Sequence, residues 1–479
     1  MVRGSSSLPG RTDETPANAL HGILELPFGE PALTEPATDK RIARRQGAVS
    51  RYVAAESLML VPRRLRLVAV TAMAAAACST PARAESVIVV DHDRAQRVDD
   101  PFVPSRAEID LGPARGRPQF RAHIADHGRR AVARGLGRAV QARTISRFDY
   151  RLYRRSYRRA RAVLGRLAGA RRRELGYVVQ SVERIALAHR LTPSRMPAIF
   201  LQLRRNNAFW ASEAFPAEGD QVTFRGSELL FQYFPGRGLQ LHPLSNFKKA
   251  NLLIAACGNR GRGEPVCGAR PPGPRPGTPC RPERLRQLLD ELSRLGVRRD
   301  RRFIAWEYLF DFGGGSPPWM SGMAQATGIT ALARGARLLN EPEYDKTAEA
   351  ALGAFEVAPP IGVRTKGPRG GVHYLQYSFA PRLYIFNAFF QSLIGLHDYG
   401  KLTGNVRATR LFERGEREAR REVPYSDTGD WSRYSFRGPE STREYHELLR
   451  EILQGLGRRV GGIYCTYAIR YRRYQIERR

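Results

Sequence analysis

The chain has 479 residues, more than one hydrophobic core usually serves, so at least two folding units are expected. Its formal net charge of +33 would ordinarily point to nucleic acid, but lysine occurs only at positions 40, 248, 249, 346, 366 and 401. Almost all of the basic charge is therefore arginine, set among much Ala, Gly and Pro, which is the mark of a GC-rich coding sequence; nucleic acid is set aside as a partner. An arginine-rich surface also suits a polyanionic glycan, whose carboxylates accept bidentate guanidinium contacts.

Taken in chain order, residues 1–58 read as an upstream extension or a disordered segment. Residues 59–84 follow the pattern of a secretory signal peptide. Met59 to Arg66 is a basic n-region, Leu67 to Cys78 an apolar run, and Ala82-Arg-Ala84 a small-x-small cleavage site. The apolar run is about twelve residues, short of the roughly 20 that span a bilayer, so no stable membrane span is expected. The protein is expected to be secreted or held in the cell envelope. Residues 85–145, rich in Arg, Pro and Asp without an apolar period, read as a linker or disordered arm.

Residues 146–256 read as a helical hairpin plus a short β segment. Leu175, Val178, Val179, Val182 and Ile185 have helical spacing, and a second helix starts at Met196. The period then changes: 222–225, 228–234 and 239–242 read as strands around a Gly-rich turn, and Asn246 to Ala256 returns to helix. Residues 257–284 form a Pro/Gly/Arg-rich loop carrying Cys257, Cys267 and Cys280. In an exported protein a loop-closing disulfide is the expectation, because the spacing does not suit zinc. No metal and no cofactor is expected.

Residues 285–460 carry helices in pairs: an amphipathic helix at 282–295, then Met320–Leu339 with Tyr344–Phe355, Leu383–Leu402 with Val406–Glu422, and Arg443–Leu456. A small-residue helix followed by an outer charged helix, repeated, predicts a mainly α chain. It would be built as an α/α toroid of helical hairpins, with the small β-strand segment before it. The tail, 461–479, has aromatic and β-branched residues that suggest a strand.

Three groups of motifs lie within this region. Trp319-Met-Ser-Gly-Met-Ala-Gln325 opens one helix; Tyr377-Ser-Phe-Ala-Pro381 precedes Asn387-Ala-Phe-x-x-Ser-Leu-Ile-Gly-Leu-x-Asp398; and Leu411-Phe-Glu-Arg-Gly415 leads to Tyr425-Ser-Asp-Thr-Gly429, Tyr434-Ser-Phe-Arg437 and Tyr445-His446. In this order they resemble the C-terminal catalytic domain of the D-glucuronyl C5-epimerase family, over about 306–453. The resemblance implies inversion of C5 of a hexuronic acid within an acidic polysaccharide, without a cofactor.

That reaction removes a hydrogen α to a carboxylate and returns one from the opposite face. It needs an acid/base on each side of the ring and donors for the charge that develops on the carboxylate. The resemblance implies that Tyr377, Tyr434 and Tyr445 are the acid/base candidates, with Arg437 as carboxylate clamp, Asn387 and Gln376 as substrate contacts, and His446 as a partner for a tyrosine or a sugar hydroxyl. A neighbouring arginine would lower a tyrosine pKa from its usual value of about 10. Trp319 reads either as a sugar-stacking platform or as a hydrophobic staple before its helix. Gln376 stands where vertebrate-type members carry Glu, and Asn387-Ala replaces Asn-Gly. Two rival readings remain: a polysaccharide lyase, which shares the carbanion but expels the C4 oxygen, and a non-catalytic glycan-binding envelope protein. Self-association as a homodimer is left open. The arginines from Arg154 to Arg173 read as a solvated face.

Overall fold

Five short strands collect into one sheet in the first part of the folded chain. Ser86–Asp91 (β1), a β-branched run, pairs antiparallel with Arg94–Asp99 (β2) and parallel with Gln221–Phe224 (β3), and Phe231–Phe234 (β4) and Gly238–Leu241 (β5) complete the order β2-β1-β3-β4-β5. The computed structural model of the chain describes residues 85–92, 94–105, 125–212, 215–258, 267, 277–300 and 302–478. The expected extension 1–58 and signal peptide 59–84 lie outside the described residues. Residues 85–145 differ from the expected linker: they contribute β1, β2 and the helix Ala125–Gln141 (α1). The physical reason is that β2 is a solvated edge without an apolar face, while α1 buries a sparse stripe of Ala131, Val132, Leu136 and Ala139 among its arginines.

Arg147–Arg166 (α2) starts at an N-cap, Ser146, which accepts from the Asp149 amide at 3.0 Å. Gly169–Leu187 (α3) and Met196–Trp210 (α4) form the expected hairpin, with α1 packed on α3 and α2 on α4. Buried Glu174 of α3 accepts from the Tyr233 hydroxyl at 3.0 Å and from the amides of Gly236 and Gly238 at 2.8 and 2.7 Å, which ties the β4–β5 hairpin to the helix. Arg284 forks onto Glu228 and also meets Asp100, so this sheet region is fastened to the helices that follow.

From Pro243 onward helices dominate. Pro243–Cys257 (α5) and Pro282–Arg294 (α6) precede two small hairpins, Val297–Arg299 with Phe303–Ala305 (β6, β7) and Glu307–Tyr308 with Trp319–Met320 (β8, β9). Gly322–Leu339 (α7) and Pro342–Ala351 (α8) come next, then Arg364–Lys366 and Val372–Tyr374 (β10, β11). Phe386–Thr403 (α9), Val406–Glu422 (α10), Arg443–Val460 (α11) and Ile463–Glu477 (α12) end the chain. Helices α5, α7, α9 and α11 pack each on the next, and each is flanked by its own partner, α6, α8, α10 or α12. The described residues are thus mainly α, with small sheets. Among them no helix is long and apolar enough to cross a membrane.

The tail corrects the strand expectation. Tyr464, Ala468, Tyr471 and Tyr474 are buried at helical spacing against α11, and their aromatic character serves packing instead of pleating. Two disulfides occur: Cys257–Cys280 closes the arginine-rich loop as expected, and Cys267–Cys465 joins that loop to α12.

The α7–α9 contact depends on one glycine. A Cβ at Gly395 would stand 2.6 Å from the Ala326 carbonyl oxygen, a rigid backbone neighbour. Gly395→Ala must push two central helices apart, and overpacking of this kind costs ~1–3 kcal/mol. A thermal unfolding midpoint several degrees lower is the expected result, and an unchanged midpoint would show that the helices are not held this closely.

Candidate functional site

The segment after β11 is laid along the start of α7 by backbone bonds. The Gly322 amide donates to Leu375 O at 3.0 Å, the Ser378 amide to Met320 O at 3.0 Å, and the Met320 amide to Ser378 Oγ at 3.1 Å. Ser321 caps α7 by accepting from the Ala324 amide and donates its own hydroxyl to Gln376 Oε1 at 3.2 Å. Gln376 is therefore buried as a strut between the two segments. Next to it Tyr377, 4% exposed, is walled by aromatic rings: Trp319 edge-on at 5.6 Å, Phe312 at 5.5 Å and Phe379 stacked at 5.3 Å. Trp319 has one flat face covered by Tyr308 at 4.2 Å and gives its indole N–H to Phe310 O at 2.8 Å. It is a wall of the site, packed between Tyr308 on one face and the edge contacts to Tyr377 and Phe379.

Tyr434 reaches the same place from a turn between α10 and α11. Its carbonyl accepts from the Phe386 amide at 3.3 Å, its neighbour Ser435 forms a β-bridge with Ile385, and the Phe436 amide donates to Tyr384 O at 2.9 Å. These bonds fasten the turn to the N-terminal end of α9. Tyr445 sits in the first turn of α11, whose N-cap is Thr442, and its ring meets that of Tyr434 at 4.8 Å and 63°. Tyr377 and Tyr434 are joined by a side-chain hydrogen bond.

Three tyrosines from three segments thus share one cluster, with Tyr377 and Tyr445 buried and Tyr434 half-buried at its open side. Burial, followed by the adjacent hydroxyls of Tyr434 and Tyr445, pushes the Tyr377 hydroxyl well above the usual tyrosine range. This is the reverse of the lowering expected from a neighbouring arginine. Tyr377 is held protonated, as a donor, toward Tyr434.

The remaining candidates surround the cluster. Asn387 is buried in the first turn of α9, beside the Phe386 amide that holds Tyr434. Arg437 is exposed on the turn, with φ +57° and its guanidinium 5.7 Å from the Phe436 ring. His446 is fully buried, stacks on Trp431 at 3.8 Å, and is bonded on both ring nitrogens: Nδ1 to Ser432 Oγ at 2.8 Å and Nε2 to Tyr471 O at 3.1 Å. Its Nε2 must donate to the carbonyl, so Nδ1 accepts; burial lowers its pKa. The Tyr425–Gly429 motif serves the frame in the same way. Ser426 bonds the Tyr471 hydroxyl at 2.6 Å, and Asp427 takes an ion pair from Arg470 at 2.8 Å and closes a turn onto the Gly429 amide at 2.9 Å.

One cluster was not singled out from the sequence. Buried Glu418 accepts from the amides of Arg369 and Gly371, both at 2.7 Å, and so shapes the loop between β10 and β11. One turn on, Glu422 meets His373 Nδ1 at 2.9 Å, and the imidazole lies 4.0 Å from Phe389. Burial, then the charge of Glu418, pushes the Glu422 carboxyl up to about 10, and burial pulls His373 down to about 3. The pair is therefore a neutral hydrogen bond, not an ion pair. The available signal was spacing: Leu411, Gly415, Glu418 and Glu422 follow the apolar stripe of an amphipathic helix, and two of its positions are acidic.

Residues 299–473 match the family profile described as D-glucuronyl C5-epimerase C-terminus. An uncharacterized protein of Methanocaldococcus jannaschii is 27% identical over 177 residues, which cover 36% of this chain and 58% of that protein. A D-glucuronyl C5-epimerase of Caenorhabditis elegans is 31% identical over 133 residues, 25% of this chain and 22% of that enzyme. The chain thus spans less than two thirds of either relative.

Proposed function

Because residues 299–473 belong to the D-glucuronyl C5-epimerase family as its C-terminal domain, we propose that the protein inverts C5 of a hexuronic acid within an acidic polysaccharide. The observation that carries this reading is the convergence of Tyr377, Tyr434 and Tyr445 on one aromatic-walled cluster. Proton abstraction at C5 and return from the opposite face need two positioned acid/base groups, one for each face of the ring. In this proposal Tyr434, at the open side, faces the sugar, buried Tyr445 with its ring against Tyr434 is the second acid/base group, and protonated Tyr377 supplies Tyr434 with a hydrogen bond that stabilises negative charge on its oxygen. Arg437, exposed on the same turn, clamps the uronate carboxylate once a polymer is bound, where its bidentate donors offset the enolate-like charge.

The proposal extends to architecture and compartment. The succession α5, α7, α9, α11, each with an outer partner helix, supports reading the C-terminal part as an α/α toroid with the tyrosines at one end of the inner helices. Two disulfides support an exported protein, since such bonds persist in oxidising compartments.

The test is incubation of the purified protein with a panel of uronic-acid polymers in deuterated water. Deuterium is expected to enter C5 of at least one polymer while chain length stays unchanged. Chain cleavage with ultraviolet absorbance of an unsaturated uronate, or no deuterium in any polymer, would overturn the proposal.

A further inference from the structure

The N-terminal helices hold a cavity of about 520 Å³ that shares no residue with the tyrosine cluster. Arg129 and Arg130 enter it from α1, Arg154, Arg158 and Arg161 enter it from α2, and no aspartate or glutamate is among its lining residues. Arg154, Arg158 and Arg161 stand at i, i+4 and i+7. They form one stripe of the helix, with successive stems about 5 Å apart, comparable with the length of one sugar unit. The floor is built. Buried Tyr157 donates its hydroxyl to buried Glu183, and Arg161 pairs with the same carboxylate at 3.1 Å. Arg129 has an exposed partner in Asp126 at 3.3 Å. Arg130, Arg154 and Arg158 take part in no ion pair among the described residues. Three guanidinium groups without a balancing carboxylate therefore face one groove, over an apolar floor that includes Val132, Leu136 and Tyr150.

We propose that this groove is a second binding site, for a carboxylated polysaccharide segment, and that it holds the polymer while the C-terminal domain acts on another part of it. The arginine stripe is then not simply a solvated face. Carboxylates repeated along a sugar chain match a row of guanidinium forks, and the apolar floor takes the C–H faces of the rings. Tethering raises the effective concentration of the polymer at the tyrosine cluster without changing the chemistry there. The choice of a uronate polymer over a phosphate polymer rests on the epimerase reading of residues 299–473.

The experiment measures binding by the full chain, without turnover, to end-labelled polygalacturonate, alginate and heparosan fragments. Dextran serves as the neutral control and a single-stranded oligonucleotide as the phosphate polymer. Wild type is expected to bind at least one polyuronate, and Arg154→Ala/Arg158→Ala to bind it about tenfold more weakly, with an unchanged thermal midpoint. Arg154→Gln/Arg158→Gln replaces that variant if the first is poorly folded. C5 exchange on a short oligosaccharide is expected to be the same in wild type and variant, while KM for the long polymer rises. Equal polyuronate affinity in wild type and variant overturns the proposal, as does tighter binding of the oligonucleotide than of every polyuronate. Because binding is read directly, a protein that binds through these arginines but exchanges no hydrogen would sink the epimerase reading and leave the groove standing.

Discussion

Tyr434→Phe is expected to reduce C5 hydrogen exchange by about 10²–10⁴-fold, the usual contribution of a positioned acid/base group. The change removes one hydroxyl and almost no volume, and Tyr434 is only half-buried, so the cost in stability should be about 1 kcal/mol. The effect is predicted to be large because the hydroxyl has two tasks: it faces the sugar, and it receives the hydrogen bond of Tyr377, whose own proton is locked in place by burial. Tyr467→Phe, a half-buried hydroxyl deletion on α12 outside the cluster, is the control and should leave exchange unaltered. Rates are compared on one uronate polymer in deuterated water, with the thermal midpoint measured on the same samples. If Tyr434→Phe exchanges as fast as wild type, the tyrosine assignment is wrong, whatever the family.

The second large effect concerns pH and stability. In the unfolded chain Glu422 has an ordinary carboxyl pKa near 4.5; in the fold it is pushed up to about 10 by burial and by Glu418. The folded state therefore binds more protons than the unfolded state across that window. The protonated carboxyl supports the fold fully below about pH 4.5, and this support is lost progressively as pH rises toward about 10. One proton is worth ~1.4 kcal/mol per pH unit, so wild type should lose up to ~4 kcal/mol between pH 6 and pH 9 from this group. Glu422→Gln keeps the shape and cannot ionise, so its stability should fall less over the same range. His373 acts in the opposite direction: its pKa is lowered, so its contribution is present above about pH 6.5 and begins to be lost at the pH 6 end of this range, in both proteins alike. Urea unfolding of both proteins at pH 6, 7.5 and 9 gives the difference directly. Parallel pH dependences would mean that Glu422 is already ionised in the folded protein.

Much of the helical framework was legible from residues 146 onward. The small-residue helix around Ala324 to Ala336 and the amphipathic stripes of α6 and α10 have a 3.6-residue period strong enough to state element, face and approximate bounds. Helix α12 reads as strand because three of its four buried positions, Tyr464, Ala468, Tyr471 and Tyr474, are aromatic, and their burial depends on α11. Strands β1 and β2 were unreadable for a related reason: β1 finds its parallel partner β3 only after four intervening helices, and sequence period carries no information about so distant a neighbour.

The candidate site divides along the same line. By itself the sequence determined the family resemblance and the identity of Tyr377, Tyr434 and Tyr445, because motif residues keep their type and order along the chain. Only the tertiary structure decided what each one does in space. It buried Gln376 as a strut to Ser321 and turned both nitrogens of His446 inward. It also joined the hydroxyls of Tyr377 and Tyr434 and lined a separate groove with arginines from two helices. Hydrogen bonding and desolvation depend on which segments meet. That is set by packing across many residues, and no local pattern in the chain records it.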